Sequence, residues 1–150
     1  MKTEDNISEI FMQLFRDISD FEERCLQKSE YADLTVNELH VIGAIGQEEP
    51  KASSKVSAKL GITMGSLTKS VDGLERKGYV IRQRCENDKR VVLLRLSDKG
   101  KKACDFGTLF HEQLVGAVVQ QLDESENRVL KKSLGTLRDY VESESFTGQP

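Results

Sequence analysis

Two short helical patterns separated by a single glycine constrain the fold of this chain most strongly. The first pattern runs from residue 53 to 60, and Gly61 follows it as a left-handed helix end. Thr63 is a good N-cap for a second helix, which Gly78 ends. The buried face of that second helix is predicted from Leu67, Val71 and Leu74. A helix, a glycine turn and another helix form the helix-turn-helix pattern.

Two alternating segments directly after the second helix predict a β-hairpin. Residues 79–85 and 91–96 both favour strands. In the second of them, Val92, Leu94 and Leu96 alternate with Val91, Leu93 and Arg95. The polar residues 86–89 between them favour a turn. A basic hairpin in this position is typical of the wing of a winged helix-turn-helix.

Helical patterns flank this module on both sides. An apolar stripe predicts a helix over about residues 5–28, and Thr35 with Glu38 forms a capping box for another, which we expect Pro50 to end. Further stripes follow Ser97 and Asp123. The predicted fold is mainly α with a small β-hairpin wing. One domain of residues 1–150 would hold the winged module at about 35–100 and dimerisation helices at about 5–30 and 100–145.

The charges are unevenly distributed along the chain. Residues 51–102 contain 14 Lys and Arg against 5 Asp and Glu, a net charge of +9, whereas the remainder carries −12. A basic centre attracts a polyanion such as nucleic acid, although a charge run alone is often only a solvated face. The sequence therefore makes the central module the candidate for binding DNA.

Composition excludes several other classes. No apolar run approaches the roughly 20 residues of a membrane span. The acidic start, MKTEDNISEIF, lacks the features of a secretory signal, so we expect a cytoplasmic protein with its three cysteines reduced. His40 and His111 stand alone in the sequence, without the spacing of a metal site, and there is no Gly-rich phosphate loop. We expect no enzyme, no metal and no cofactor.

Small polar residues make up the exposed face predicted for the second helix. Gly65 allows close approach to the floor of the major groove, and the neighbouring side chains have the right lengths for base edges or phosphates. Hydroxyls and amides at the start of the preceding helix suit a phosphate. The candidate DNA contacts on these two helices are Ser53, Ser54, Gly65, Ser66, Thr68, Lys69 and Arg76.

The hairpin adds a second group of candidates. Asp88 lies two residues before Arg90, and we expect its carboxylate to orient the Arg90 guanidinium towards a narrow minor groove. Arg82, Arg84 and Lys89 would attract phosphates of any sequence. The alternative for Asp88 and Arg90 is an ordinary salt bridge in a turn.

The flanking helices favour a homodimer. Their apolar stripes are wide enough for two neighbours, the module and a second subunit. A dimer would place two recognition helices in successive major grooves of a pseudo-palindromic operator in double-stranded DNA. The alternative is that these helices only close a monomeric core.

The stretch LERKGYVIRQRCENDKRVVLLRLSDKGK, residues 74–101, resembles the most specific motif of the MarR family of winged-helix regulators. The resemblance implies a homodimer held by the terminal helices. It also matches Ser66, Thr68 and Lys69 to the recognition helix, and Asp88 and Arg90 to the wing.

Together with NELHVIGAIG, residues 37–46, the same stretch resembles the FabT branch of that family, which represses fatty-acid synthesis genes in response to acyl chains on acyl carrier protein. The resemblance implies an acyl-acyl carrier protein partner and an apolar ligand space lined by Phe11, Phe15, Leu39, Ile42, Phe106 and Phe110. Each of these residues is also an ordinary core residue by type.

Two other functions stay open from the sequence. One is a regulator of the same family that senses another small ligand, or peroxide through Cys25 as in the thiol-sensing OhrR branch. The place of Cys25 on an apolar stripe favours a buried, unactivated thiol. A winged helix that docks on proteins without binding DNA is the other, and it leaves the basic wing unexplained.

Overall fold

The structure is a computed structural model that describes residues 3–144 and 146–148. Over these residues it has six helices and three short strands. In chain order they are α1 (Thr3–Gln27), α2 (Val36–Ile45), β1 (Lys51–Ala52), α3 (Ser53–Leu60), α4 (Met64–Arg76), β2 (Val80–Arg84), β3 (Val92–Leu96), α5 (Asp98–Val119) and α6 (Glu124–Glu142). This confirms the mainly α fold with a hairpin wing. Among the described helices, none is both long and apolar enough to cross a membrane.

Two compact units divide the chain, residues 1–110 and 111–150. The first holds α1 to α4, the three strands and the beginning of α5. The second holds the end of α5 and α6. The single-domain organisation expected from the sequence stays a prediction.

Local capping confirms most of the helix boundaries predicted in the first unit. The Thr35 amide donates to Glu38 Oε2 at 2.9 Å, and the Glu38 amide donates to Thr35 Oγ1 at 3.1 Å, which completes the capping box of α2. Gly61 ends α3 in the left-handed region, with φ 64° and ψ 32°. Thr63 caps α4 by accepting a hydrogen bond from the Ser66 amide.

The predicted end of α2 was wrong. The helix stops at Ile45, and Gly46 leaves it with φ 71° while its amide still donates to the Ile42 carbonyl. Glycine takes positive φ without the steric cost of a Cβ, so the chain turns well before Pro50. This early turn brings residues 51 and 52 to the sheet.

The sheet has the antiparallel order β1-β3-β2. In the hairpin, Val80 pairs with Leu96 and Arg84 with Val92. Lys51 and Ala52 pair with Leu94 and Leu93, adding a strand that sequence analysis missed. Two residues are too few to show the alternation by which a strand is detected.

The core of the first unit lies between α2, α4 and the sheet. Its most deeply buried large side chains include Leu26, Ile42, Ile45, Leu67, Leu74, Tyr79 and Leu94. Gly100 in α5 approaches this core so closely that a Cβ there would overlap the Tyr79 carbonyl oxygen. The start of α5 therefore seats directly on the beginning of the hairpin.

In the second unit, Asp123 and Glu126 form the predicted capping box of α6. This helix buries none of its described residues. Its exposed apolar side chains include Val129, Leu134, Leu137 and Val141.

Candidate nucleic-acid interface

Helix α4 is fixed to the core along one side, which decides the face that it exposes. Leu67, Val71 and Leu74 are no more than 1% exposed. At 100° per residue, burial of these positions turns the polar residues outward. The predicted recognition residues Gly65, Ser66, Thr68, Lys69 and Arg76 are accordingly all exposed.

An open cleft of about 390 Å³ lies between the start of α3, α4 and the hairpin. It brings together six of the predicted contacts from three separate elements. They are Ser53, Ser54, Thr68, Arg82, Arg84 and Arg90. The other predicted wing residues, Asp88 and Lys89, are exposed in the turn.

Ser53 has a structural contact in this cleft. Its hydroxyl donates to the Val92 carbonyl oxygen at 3.2 Å, which joins the start of α3 to β3. Its oxygen can still accept, but its proton is committed within the protein. Ser54 is exposed and is the better placed of the two for a phosphate.

The wing turn differs from expectation in the atom that Asp88 binds. Asp88 Oδ1 accepts a hydrogen bond from the main-chain amide of Arg90 at 3.0 Å, so the carboxylate shapes the backbone of the turn rather than orienting the guanidinium. A short Asp side chain reaches an amide two residues ahead more readily than the end of a long side chain. Arg84 Nη1 donates to the Lys89 carbonyl oxygen at 2.7 Å and closes the same turn.

Arg82, which was expected to attract phosphates of any sequence, is paired with carboxylates of the protein itself. Its Nη2 donates to Asp72 Oδ1, and its Nη1 lies 3.9 Å from Glu75 Oε1. Both carboxylates belong to α4, whereas Arg82 belongs to β2. Sequence analysis gave no signal for this pair, because it joins two elements.

A polar cluster at the end of α4 was also missed. Lys77 Nζ donates to Glu38 Oε2 at 2.7 Å and to the Asp33 carbonyl oxygen at 2.6 Å. The Tyr79 hydroxyl donates to Asp33 Oδ1 at 2.7 Å, and burial raises the pKa of this phenol far above its ordinary value. These contacts tie the end of α4 to the segment that leads into α2.

The six residues expected to line an apolar ligand space fall into different environments. Leu39 and Ile42 are closed core, at 3% and 0% exposure. Phe106 and Phe110 pack against Tyr31 and Phe21, with ring centroids 5.4 and 5.5 Å apart. Phe11 and Phe15 are exposed on α1. The described residues therefore do not gather these six around one cavity.

The expectation that His40 stands alone was wrong. His40 Nε2 lies 3.0 Å from Oε1 of Glu22, whose side chain is buried. These residues are 18 positions apart on two helices, so no local spacing reveals the pair. Cys25 is half-buried and Cys104 is buried; burial raises the pKa of the Cys104 thiol.

A helix-turn-helix whose second helix and basic hairpin border one cleft defines a winged-helix DNA-binding protein. A family model described as MarR family matches residues 34–92. The transcriptional regulator BilQ of Clostridium symbiosum is 30% identical over 85% of this chain and 84% of its own length. The chain belongs to the MarR family and is a DNA-binding transcriptional regulator, not an enzyme.

Two solved structures place the fold more closely. The chain is similar to Streptococcus pneumoniae FabT in complex with DNA, with 34% identity, a TM-score of 0.88, and coverage of 94% of this chain and 99% of FabT. A complex of MepR from S. aureus with DNA matches with a TM-score of 0.75 and 21% identity, covering 90% of this chain and 97% of MepR. The second likeness concerns the fold alone.

Proposed function

We propose that this regulator is a homodimeric repressor of fatty-acid synthesis genes and that acyl chains on acyl carrier protein act as its co-repressor. The observation that carries the proposal is the likeness to FabT, which extends over 94% of the chain at 34% identity. The segments 37–46 and 74–101 carry the resemblance in sequence.

In the proposed complex, α4 lies in the major groove and the wing turn reaches the adjacent minor groove. Ser66, Thr68 and Lys69 are exposed at the start of α4, where base edges would be read. Arg90 is exposed on the wing for the minor groove. Ser54 and Lys89 would contact phosphates, which fix position without specifying sequence.

Exposed apolar side chains in each unit support the homodimer. On α1, Ile7, Ile10, Leu14 and Phe15 are all more than half exposed and recur at helical spacing. Val118, Val129 and Val141 of the second unit are also more than half exposed. Large apolar side chains left exposed together on one helix are typical of sites of protein association.

The test isolates the fragments of the host genome that the purified protein binds and measures their affinities by mobility shift at several salt concentrations. We expect fragments preceding lipid-synthesis genes, and a log affinity that falls steeply with log salt. Adding acyl-loaded carrier protein is expected to tighten binding, with the unloaded carrier as the matched control. Enrichment of unrelated promoters, or equal effects of the two carriers, would contradict the fatty-acid role and leave the DNA-binding class intact.

A further inference from the structure

The contact between Asp72 and Arg82 joins the two elements that border the cleft. Asp72 follows the buried Val71 on α4, and Arg82 lies on β2 opposite the buried Leu94. The Arg82 side chain is 30% exposed and that of Asp72 is 52% exposed. Both ends of the pair are therefore anchored by the core, while the charged groups remain at the surface.

A carboxylate at this position is unfavourable for binding a polyanion. Asp72 lies one helical turn after Thr68 and three residues after Lys69, which places it beside the face proposed to enter the groove. Its charge repels phosphates and also balances the charge of Arg82, one of the cleft's cations. A partly exposed ion pair contributes little to folding stability, so stability alone is a weak reason for it.

We propose that Asp72 is a specificity-determining residue, which holds Arg82 away from phosphates of any sequence and sets the position of the wing relative to α4. This inference rests on the proposed function. Phosphate contacts raise the affinity for all sequences alike, whereas reading base edges requires both elements to dock in a fixed arrangement. Pairing Arg82 with Asp72 leaves the cleft one free cation fewer, which lowers the affinity for random duplex more than the affinity for the operator.

The test compares Asp72→Ala with Glu75→Ala, a control that makes the same charge change one turn along α4. Glu75 lies 3.9 Å from Arg82, beyond hydrogen-bonding distance. For Asp72→Ala we expect tighter binding to random duplex and a salt slope steeper by about 0.9, equivalent to one added phosphate contact. Affinity for the operator should rise less. Lowering the salt concentration fourfold should therefore reduce the ratio of operator to random affinity by up to about three- to fourfold relative to wild type.

Two further variants separate the mechanisms. Asp72→Ala combined with Arg82→Ala should lose the steeper slope, because the released cation is absent. Asp72→Asn keeps the side-chain volume and should change the salt slope and the ratio of operator to random affinity in the same direction as Asp72→Ala. It tests the inference even if Asp72→Ala lowers the melting temperature. A steeper slope that persists in the double variant, or equal effects of Asp72→Ala and Glu75→Ala, would overturn the inference.

The wild-type protein separates this inference from the proposed function. If it prefers no natural promoter over random duplex, the DNA-reading arrangement fails, and the inference fails with it. If it prefers a promoter and Asp72→Ala leaves that preference unchanged, only the inference fails. If the preferred promoter precedes genes other than those for lipid synthesis, the fatty-acid role fails and the expected effect of Asp72→Ala still holds.

Discussion

Asp88 shows at the scale of one residue how the wing acquires its shape. Its carboxylate accepts from the Arg90 amide, so the group that matters is a hydrogen-bond acceptor of the right length rather than a negative charge. A variant that keeps the acceptor and removes the charge therefore separates the two roles.

We expect Asp88→Asn to bind its operator within about twofold of wild type, and Asp88→Ala to bind about fivefold more weakly, since a hydrogen bond of this kind contributes about 1 kcal/mol. Mobility shifts at constant salt measure both variants. If Asp88→Asn loses as much operator affinity as Asp88→Ala, the charge of Asp88 is needed. That result would favour the role expected from sequence, in which the charge orients the Arg90 guanidinium.

In the proposed complex, the contact of the wing with the minor groove depends on Arg90. We expect Arg90→Ala to weaken operator binding about tenfold or more, because a contacting arginine contributes about 1–3 kcal/mol, while the mass of the oligomer stays unchanged. Light scattering and mobility shifts measure the two quantities. Lys101→Ala, which removes an exposed cation from α5, is the matched control. If both substitutions lower operator affinity by the same small amount, the wing does not contact DNA.

At the scale of elements, the packing of α5 against the start of the hairpin depends on Gly100. A Cβ at this position meets the Tyr79 carbonyl carbon and oxygen, which belong to backbone and cannot rotate away. The same glycine amide donates to Ser97 Oγ, so the first turn of α5 is held to Ser97 as well.

We expect Gly100→Ala to lower the free energy of unfolding by about 2 kcal/mol or more, because overpacking forces α5 to shift. Gly43→Ala in α2, where an added Cβ has open space, should instead raise it by about 0.5–1 kcal/mol. Urea denaturation followed by circular dichroism compares them. Similar changes of the same sign would show that Gly100 tolerates a side chain.

At the scale of the whole molecule, the exposed apolar face of α1 should decide the oligomeric state. We expect Phe15→Glu to yield a monomer in light scattering, because the new charge would be buried against the second subunit. Operator affinity should fall at least about a hundredfold, since two linked half-sites bind far more tightly than one.

Gln13→Glu adds the same charge on the opposite side of α1 and should leave the dimer intact. A Phe15→Glu protein that remains dimeric would place the interface elsewhere. If the wild-type protein is itself monomeric, the proposal that a dimer binds the two half-sites of an operator is wrong.

Most of the local structure that depends on contacts between residues within four positions could be predicted from the sequence. The end of α2 at Gly46 and the hydrogen bond from the Arg90 amide to Asp88 are the exceptions. The capping boxes of α2 and α6, the Thr63 cap and the Gly61 turn all involve contacts of this range, so the winged-helix order could be read directly. The exposed side of α4 followed from the spacing of its apolar residues.

Tertiary structure decided the partners of the charged side chains. The pairs Asp72 with Arg82, Glu22 with His40 and Glu38 with Lys77 join residues 10, 18 and 39 positions apart. Such pairs form only after core packing has placed two elements side by side, and charges of either sign look alike in the sequence whether paired or solvated. Periodicity therefore located the face proposed to meet DNA, whereas only the folded chain shows which of its cations are already paired with carboxylates.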